Sequence, residues 1–248
     1  MKKPILCFAL GCIWNWTKHN NRAGLIKYAR QLDVKGAEIT IGYIEELFAL
    51  KFTKSQVKWL RSLKYVSIHA PFNLSDSSKE EDIIKRMDKI QEVYNQVKAS
   101  NVIIHPQQLP EKRILAKYKM RISIENMEKG KYSKIRNLQN MLKKHPKKGL
   151  CLDISHAYGI SKKDTANIIK KFKERITQIH LSGTYKRVKH RSLRIVTPSF
   201  IKSIHPIRKL RVPIILEEDM TKDISRKSMN YVKKEVEYAS SLLNEIYT

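Results

Sequence analysis

Six short apolar runs each end on side chains that can bind a metal or move a proton. They are Ser67-Ile68-His69-Ala70-Pro71, Ile103-Ile104-His105-Pro106, Ser123-Ile124-Glu125-Asn126, Leu152-Asp153-Ile154-Ser155-His156, Gln178-Ile179-His180 and Ile215-Leu216-Glu217-Glu218. A single His at a strand end is more often a hydrogen-bonded structural residue than a ligand. Six such ends at one mouth are harder to explain that way. Carboxylates crowded together repel when ionised and need neutralising. A divalent metal cluster would do this, and mixed imidazole and carboxylate donors suit Zn2+ or Mn2+ rather than Ca2+.

The chemistry requires elements that bring these ends together. Eight β-branched apolar runs recur: Ile5–Gly11, Ala37–Gly42, Tyr65–Ala70, Asn101–His105, Arg121–Glu125, Gly149–Ile154, Ile176–Leu181 and Val212–Glu217. Their near-continuous apolar character predicts parallel strands covered by helices. Amphipathic helices are expected between them. The clearest span Lys79–Ser100 and Ser225–Ile246, with shorter ones at Thr53–Leu63, Ser133–His145 and Ser161–Arg175. Strand and helix repeated eight times predict one (β/α)8 barrel over residues 1–248, with a doubly wound sheet as the alternative. Such a barrel gathers catalytic groups at the C-terminal ends of its strands. Between the fourth and fifth strands only Pro106–Met120 intervene, so the helix there must be short or irregular.

Composition narrows the partners. The 248 residues carry 50 Lys+Arg against 23 Asp+Glu, a net charge of +27. That excess favours a polyanion such as nucleic acid or an anionic membrane, and a lysine-rich solvated surface is the plain alternative. No run is long and apolar enough to span a membrane. Three cysteines without a CxxC pair fit a reducing cytoplasm. Met1–Cys12 has some features of a secretory leader, but cleavage at Cys12 would remove the first core strand.

The six ends, with the longer pieces His69-Ala70-Pro71-Phe72-Asn73-Leu74, Glu125-Asn126-Met127 before Gly130-Lys131, and Cys151-Leu152-Asp153-Ile154-Ser155-His156-Ala157, resemble the endonuclease IV family of apurinic/apyrimidinic endonucleases. That family lies within the xylose isomerase-like barrels, and the likeness runs from about residue 65 to 218. The resemblance implies two or three Zn2+ per chain, with Mn2+ as a substitute. It places a first metal on His69, His105 and Glu125. Glu125 would bridge to a second metal held also by Asp153, His180 and Glu217. A third would use His156 and His190, but Val188 stands where the family has an Asp. The implied reaction is hydrolysis of the DNA phosphodiester 5′ to an abasic site, as in base excision repair. Glu125 and Glu217 would be its catalytic carboxylates, and the protein a monomer acting on double-stranded DNA.

The charge pattern points the same way. From Leu181 to Arg211 nine basic residues occur with no acidic one. Lys186, Arg187, Lys189, Arg191 and Arg194 are the candidates nearest the mouth for binding backbone phosphates; a solvated helix is the alternative. Trp14-Asn15-Trp16 after the first strand could stack on a base or sugar, or pack inward. A second enzyme class stays open. A sugar or sugar-phosphate isomerase or epimerase needs one metal, which Glu125, Asp153, His180 and Glu217 would hold. A nucleic-acid-binding barrel without catalysis is the third reading.

Overall fold

The computed structural model describes residues 3–222 and 227–248. Eight parallel strands close into a barrel in chain order: β1 (Leu6–Ala9), β2 (Gly36–Thr40), β3 (Tyr65–His69), β4 (Asn101–Ile104), β5 (Ile122–Glu125), β6 (Gly149–Asp153), β7 (Ile176–Leu181) and, after a hairpin, β10 (Ile214–Leu216). The hairpin pairs β8 (Gly183–Tyr185) with β9 (Val188–Arg191) above the mouth. Helices α1 (Ile26–Ala29), α2 (Ile44–Ala49), α3 (Lys54–Ser62), α4 (Glu80–Val97), α5 (Lys112–Leu115), α6 (Ile135–Lys144), α7 (Ile154–Ile160), α8 (Asp164–Phe172), α9 (Pro198–Ile204) and α10 (Met229–Tyr247) cover the outside. This is the (β/α)8 barrel expected.

Local sequence explains the helix limits. In α3, Thr53 accepts from the Gln56 amide while Gln56 accepts from the Thr53 amide, a reciprocal capping box. Helix α4 opens on Glu80, Glu81 and Asp82, which favour the positive end of its dipole. It closes on Lys98 in the left-handed region at φ 55°. Helix α10 begins at Met229 with Ser228 as its cap, whereas the periodicity suggests Ser225, which lies outside the described residues. The connection from β4 to β5 is a 3-10 turn at Pro106–Gln108 followed by the four-residue α5, as its length demands.

Alternation along each strand divides the residues by role. Ile68, Ile104, Ile124, Leu152, Ile179 and Leu216, each next to a candidate ligand, are fully buried in the core. Each stabilises the fold by about 1.5–3 kcal/mol. The opposite face differs from the continuous apolar strand that the sequence suggests. Glu38, Ser67, Asn101, Ser123 and Gln178 fill the lower barrel, fully buried. They are joined by hydrogen bonds, among them Ser67 Oγ to Glu38 Oε2 (2.8 Å) and Ser123 Oγ to Asn101 Oδ1 (3.0 Å). A buried polar layer is tolerable only when so paired.

Candidate metal centre

His69, Glu125, Asp153 and His180 stand at or next to the C-terminal ends of β3, β5, β6 and β7, and Asp153 and His180 are paired in the sheet. Glu125 stands at the middle with its two oxygens turned to different partners. Oε2 lies 3.0 Å from His105 Nε2 and 3.3 Å from His69 Nε2. Oε1 lies 3.1 Å from His180 Nδ1, which in turn is 2.9 Å from Glu217 Oε2. The donor atoms fall into three groups, each within 4.8 Å: His69–His105–Glu125, Glu125–Asp153–His180–Glu217, and Asp153–His156–His190. All eight candidate ligands are therefore brought together.

The donor chemistry fits cations. His69 Nδ1 donates to the Ala70 carbonyl at 3.0 Å, His156 Nδ1 to Asn126 O at 2.9 Å, and His190 Nδ1 to Glu217 O at 3.1 Å. Each of these bonds fixes the ring and leaves the Nε2 lone pair free. Yet those lone pairs face acceptors. His69 Nε2 faces Glu125, while His156 Nε2 and His190 Nε2 face each other at 3.3 Å. Asp153 Oδ2 is buried with no hydrogen-bond partner. Opposed lone pairs and an orphaned carboxylate oxygen require positive charge between them.

Imidazole protons can supply that charge in place of a cation. Burial opposes charge on His69, but Glu125 outweighs it and lifts its pKa to about 9. Burial acts likewise on His180, and Cys151, Glu217 and Glu38 raise it well above the usual value. Burial pushes Glu125 up, yet His105, His180 and His69 hold it well below the carboxylate range. Burial also pushes Glu217 up, and His180 overrides it to about 2. Asp153 is raised, burial being the largest cause. Binding a metal would displace the imidazole protons.

Beside this cluster a cavity of about 410 Å3 opens to solvent. Trp14, Tyr43 and Phe72 wall it, and Glu217, Asp219 and His190 face it. Of the two tryptophans, Trp14 belongs to the cavity. Trp16 is buried, its ring edge-on to Tyr28 at 4.9 Å.

The hairpin explains how His190 arrives despite the short segment after His180. Gly183 allows the close approach of its return strand, because a Cβ there would sit 2.8 Å from the Arg191 and Ser192 carbonyl oxygens. His190 itself has φ 53°, a strained conformation that aims its ring at His156. Val188 is exposed, and Asp153 is the carboxylate that completes this third group.

The basic candidates separate. Lys186 and Arg187 are exposed at the hairpin tip. Lys189 is ion-paired with Glu128, Arg194 with Glu235 at 3.2 Å, and Arg191 is partly buried with a partner of its own. A hairpin, short 3-10 turns and the seven-residue α9 divide the segment, and of its basic residues α9 carries Lys202. Lys202, Arg208 and Lys209 line a groove with Lys170 and Lys173 at the other end of the barrel. Sequence reasoning passed over Glu38, Gln178 and Glu46. A carboxylate in the middle of the β2 run was the visible signal for the first.

No protein-family model matches the sequence, and no curated protein matches it. Solved structures do. A D-tagatose 3-epimerase-like protein superimposes with a TM-score of 0.70 at 16% identity over 98% of both chains. Endonuclease IV from Thermus thermophilus gives 0.67 at 17% identity, again over 98% of both. A xylose isomerase domain containing protein from Salmonella typhimurium gives 0.68 at 15% over 98% of both. The chain has the xylose isomerase-like (β/α)8 barrel fold. Endonuclease, epimerase and isomerase names all occur among its structural neighbours.

Proposed function

We propose that the protein is a metal-dependent endonuclease that cuts the DNA phosphodiester 5′ to an abasic site, in the manner of endonuclease IV. The observation that carries this reading is Glu125. Its Oε2 faces His69 and His105 while its Oε1 faces His180, so the two oxygens could serve two different cations. In a one-metal isomerase His69 and His105 would instead be substrate-binding groups, and the charge of +27 would have no role.

His69, His105 and Glu125 would hold one Zn2+, and Glu125, Asp153, His180 and Glu217 a second. His156 and His190 with Asp153 would take a third, and Mn2+ could replace zinc. Bound there, such ions polarise a phosphodiester and lower the pKa of water. The chain's own residues do the rest. Buried Asn126 holds β5 to β6, donating to Asp153 O and accepting from Asp153 N, and so keeps Glu125 and Asp153 in register. Glu217, 2.9 Å from His180 Nδ1, would be both a ligand and a candidate proton acceptor for the attacking water. Trp14, Tyr43 and Phe72 offer faces for the exposed sugar or bases at the lesion. Lys186 and Arg187 stand beside the mouth to meet backbone phosphates of the duplex.

The second reading is a sugar or sugar-phosphate isomerase or epimerase. The complete Glu125–Asp153–His180–Glu217 group and a cavity of about 410 Å3 favour it. One experiment separates the two: incubation with a duplex carrying a single abasic analogue, with metal content measured on the same preparation. A cut 5′ to the lesion, lost on chelation and accompanied by at least two metals, supports the nuclease. An intact duplex with one metal per chain overturns it.

A further inference from the structure

Both ring nitrogens of His180 meet side chains, and these decide which nitrogen would keep its proton when a metal takes the other. Nδ1 faces Glu125 Oε1 at 3.1 Å and Glu217 Oε2 at 2.9 Å. Nε2 lies 3.2 Å from Glu38 Oε2 and 2.9 Å from Gln178 Nε2. These two neighbours ask opposite things of the ring. Glu38 accepts a hydrogen bond from Nε2–H, which holds the proton on that nitrogen and frees the Nδ1 lone pair. Gln178 donates to Nε2 and sends the proton to Nδ1, where it would block a metal.

Gln178 cannot resolve the conflict by turning its amide. Its Oε1 already accepts from Tyr65 Oη at 2.8 Å and Asn101 Nδ2 at 3.2 Å. Turning the amide would set its oxygen against the Glu38 carboxylate, which now accepts from Gln178 Nε2 at 2.9 Å, and its NH2 against Asn101 Nδ2. Glu38 is equally fixed. It is fully buried on β2, and its Oε2 also accepts from Ser67 Oγ at 2.8 Å and Gln178 Nε2 at 2.9 Å. Both belong to the barrel floor, so neither would touch a substrate at the mouth.

We propose that Glu38 is a positioning residue that selects the metal-binding tautomer of His180 against Gln178. The inference rests on the metal centre of the function proposed above. It goes further by assigning the second metal's affinity to a side chain in the barrel floor. In Glu38→Gln a second amide donor can face Nε2, and the proton moves to Nδ1. Combining Glu38→Gln with Gln178→Glu returns a carboxylate to the other side of the ring. Its Oε1 still accepts from Tyr65 and Asn101, and its Oε2 accepts from Nε2.

The test is Co2+ titration of the full chain, read by the visible d–d absorption and by competition with a chelator, with circular dichroism as the control for folding. The expected result is a weakening of one bound Co2+ by about 10–100-fold in Glu38→Gln. A second Co2+ should keep its parent affinity, because His69 and His105 do not contact Glu38. The double variant should regain the parent titration. Undiminished affinity in folded Glu38→Gln, or a folded double variant that stays weak, overturns the role given to Glu38. A parent chain that takes up fewer than two Co2+ overturns the metal centre itself, and with it this inference.

Discussion

At the scale of single residues, the site is a set of lone pairs held against one another by bonds made elsewhere. His69, His156 and His190 each lock one nitrogen on a main-chain carbonyl, so none can turn its N–H toward the cluster without losing that bond. Replacing one ligand should therefore remove one metal rather than rearrange the rest. His69→Ala is expected to lower the metal count by one and cut abasic-site cleavage by at least about 10²–10³-fold, the cost of losing one electrostatic stabiliser. Metal analysis checks this, and an unchanged count would favour the one-metal isomerase. A second residue-scale device lies at the cavity wall. Glu46 accepts hydrogen bonds from Arg22 and from the Gly42 amide (2.7 Å), and lies 3.1 Å from His19 Nδ1. Burial pushes its carboxyl up, but these bonds override it and hold the pKa below the usual 4.5. Its folded pKa is thus depressed. The stability it contributes is complete above pH 4.5 and is lost as pH falls through the folded value. Glu46→Gln should lose about 1–3 kcal/mol at pH 7 and show a flatter decline below pH 5 than the parent. Urea unfolding at several pH values measures the difference between the two chains. Parallel declines would mean that Glu46 does not carry this pH dependence.

At the scale of elements, the β8–β9 hairpin makes two demands on the same two residues. Its tip, Lys186-Arg187, has φ 47° and 65°, the backbone of a tight turn that favours Asn-Gly. Two cations in that conformation cost stability, and both project beside the mouth. Lys186→Asn with Arg187→Gly should raise the melting temperature by a few degrees, about 1 kcal/mol or more. The same change should weaken binding to an abasic duplex and reduce the salt slope of log K by about 1.8, for two lost phosphate contacts. A stabilised variant with unchanged DNA binding would show that the tip does not meet the duplex. The hairpin also marks a limit on what the sequence could reveal. The eight strands were legible because their apolar runs are short and recur between helical patterns, and six of them end on candidate ligands. The five longest helices, α3, α4, α6, α8 and α10, were legible from their periodicity, and the shorter ones were not. The hairpin was not, since Val188-Lys189-His190 carries no apolar alternation and its turn lacks Gly or Asn. The placement of His190 depends on a left-handed backbone at that residue, which no spacing reveals. The barrel floor was missed for another reason. Glu38, Ser67 and Gln178 alternate with Ala37, Ile39, Ile68 and Ile179, and a run judged as a whole blends its two faces into one apolar stretch.

At the scale of the whole molecule, the question is which face the excess of cations serves. Two groups of cations within the charge of +27 lie at opposite ends of the barrel. Lys186 and Arg187 lie at the mouth with the proposed metals. Lys170, Lys173, Lys202, Arg208 and Lys209 line a groove of about 640 Å3 where α8 and α9 end. Helix α8 leads, through the turn at Lys173–Arg175, into β7. Helix α9 leads, through the turn at His205–Lys209, into β10. The groove therefore sits toward the N-terminal ends of the strands. A strand of six residues separates the two levels by about 20 Å, roughly twice the Debye length at physiological salt. A duplex docked at the metals would then be screened from the groove. Lys170→Glu, Lys202→Glu and Arg208→Glu together should leave its affinity and salt slope nearly unchanged. Lys186→Glu with Arg187→Glu should weaken binding and lower the slope. Titrations of a labelled abasic duplex of about two helical turns, across a range of salt concentrations, distinguish the two. A loss confined to the groove variant would place the nucleic acid at the wrong end of the barrel for the metals to cut it, and so count against the nuclease reading. A loss confined to the mouth variant would leave the groove cations as a solvated surface and support a duplex lying across the metal centre.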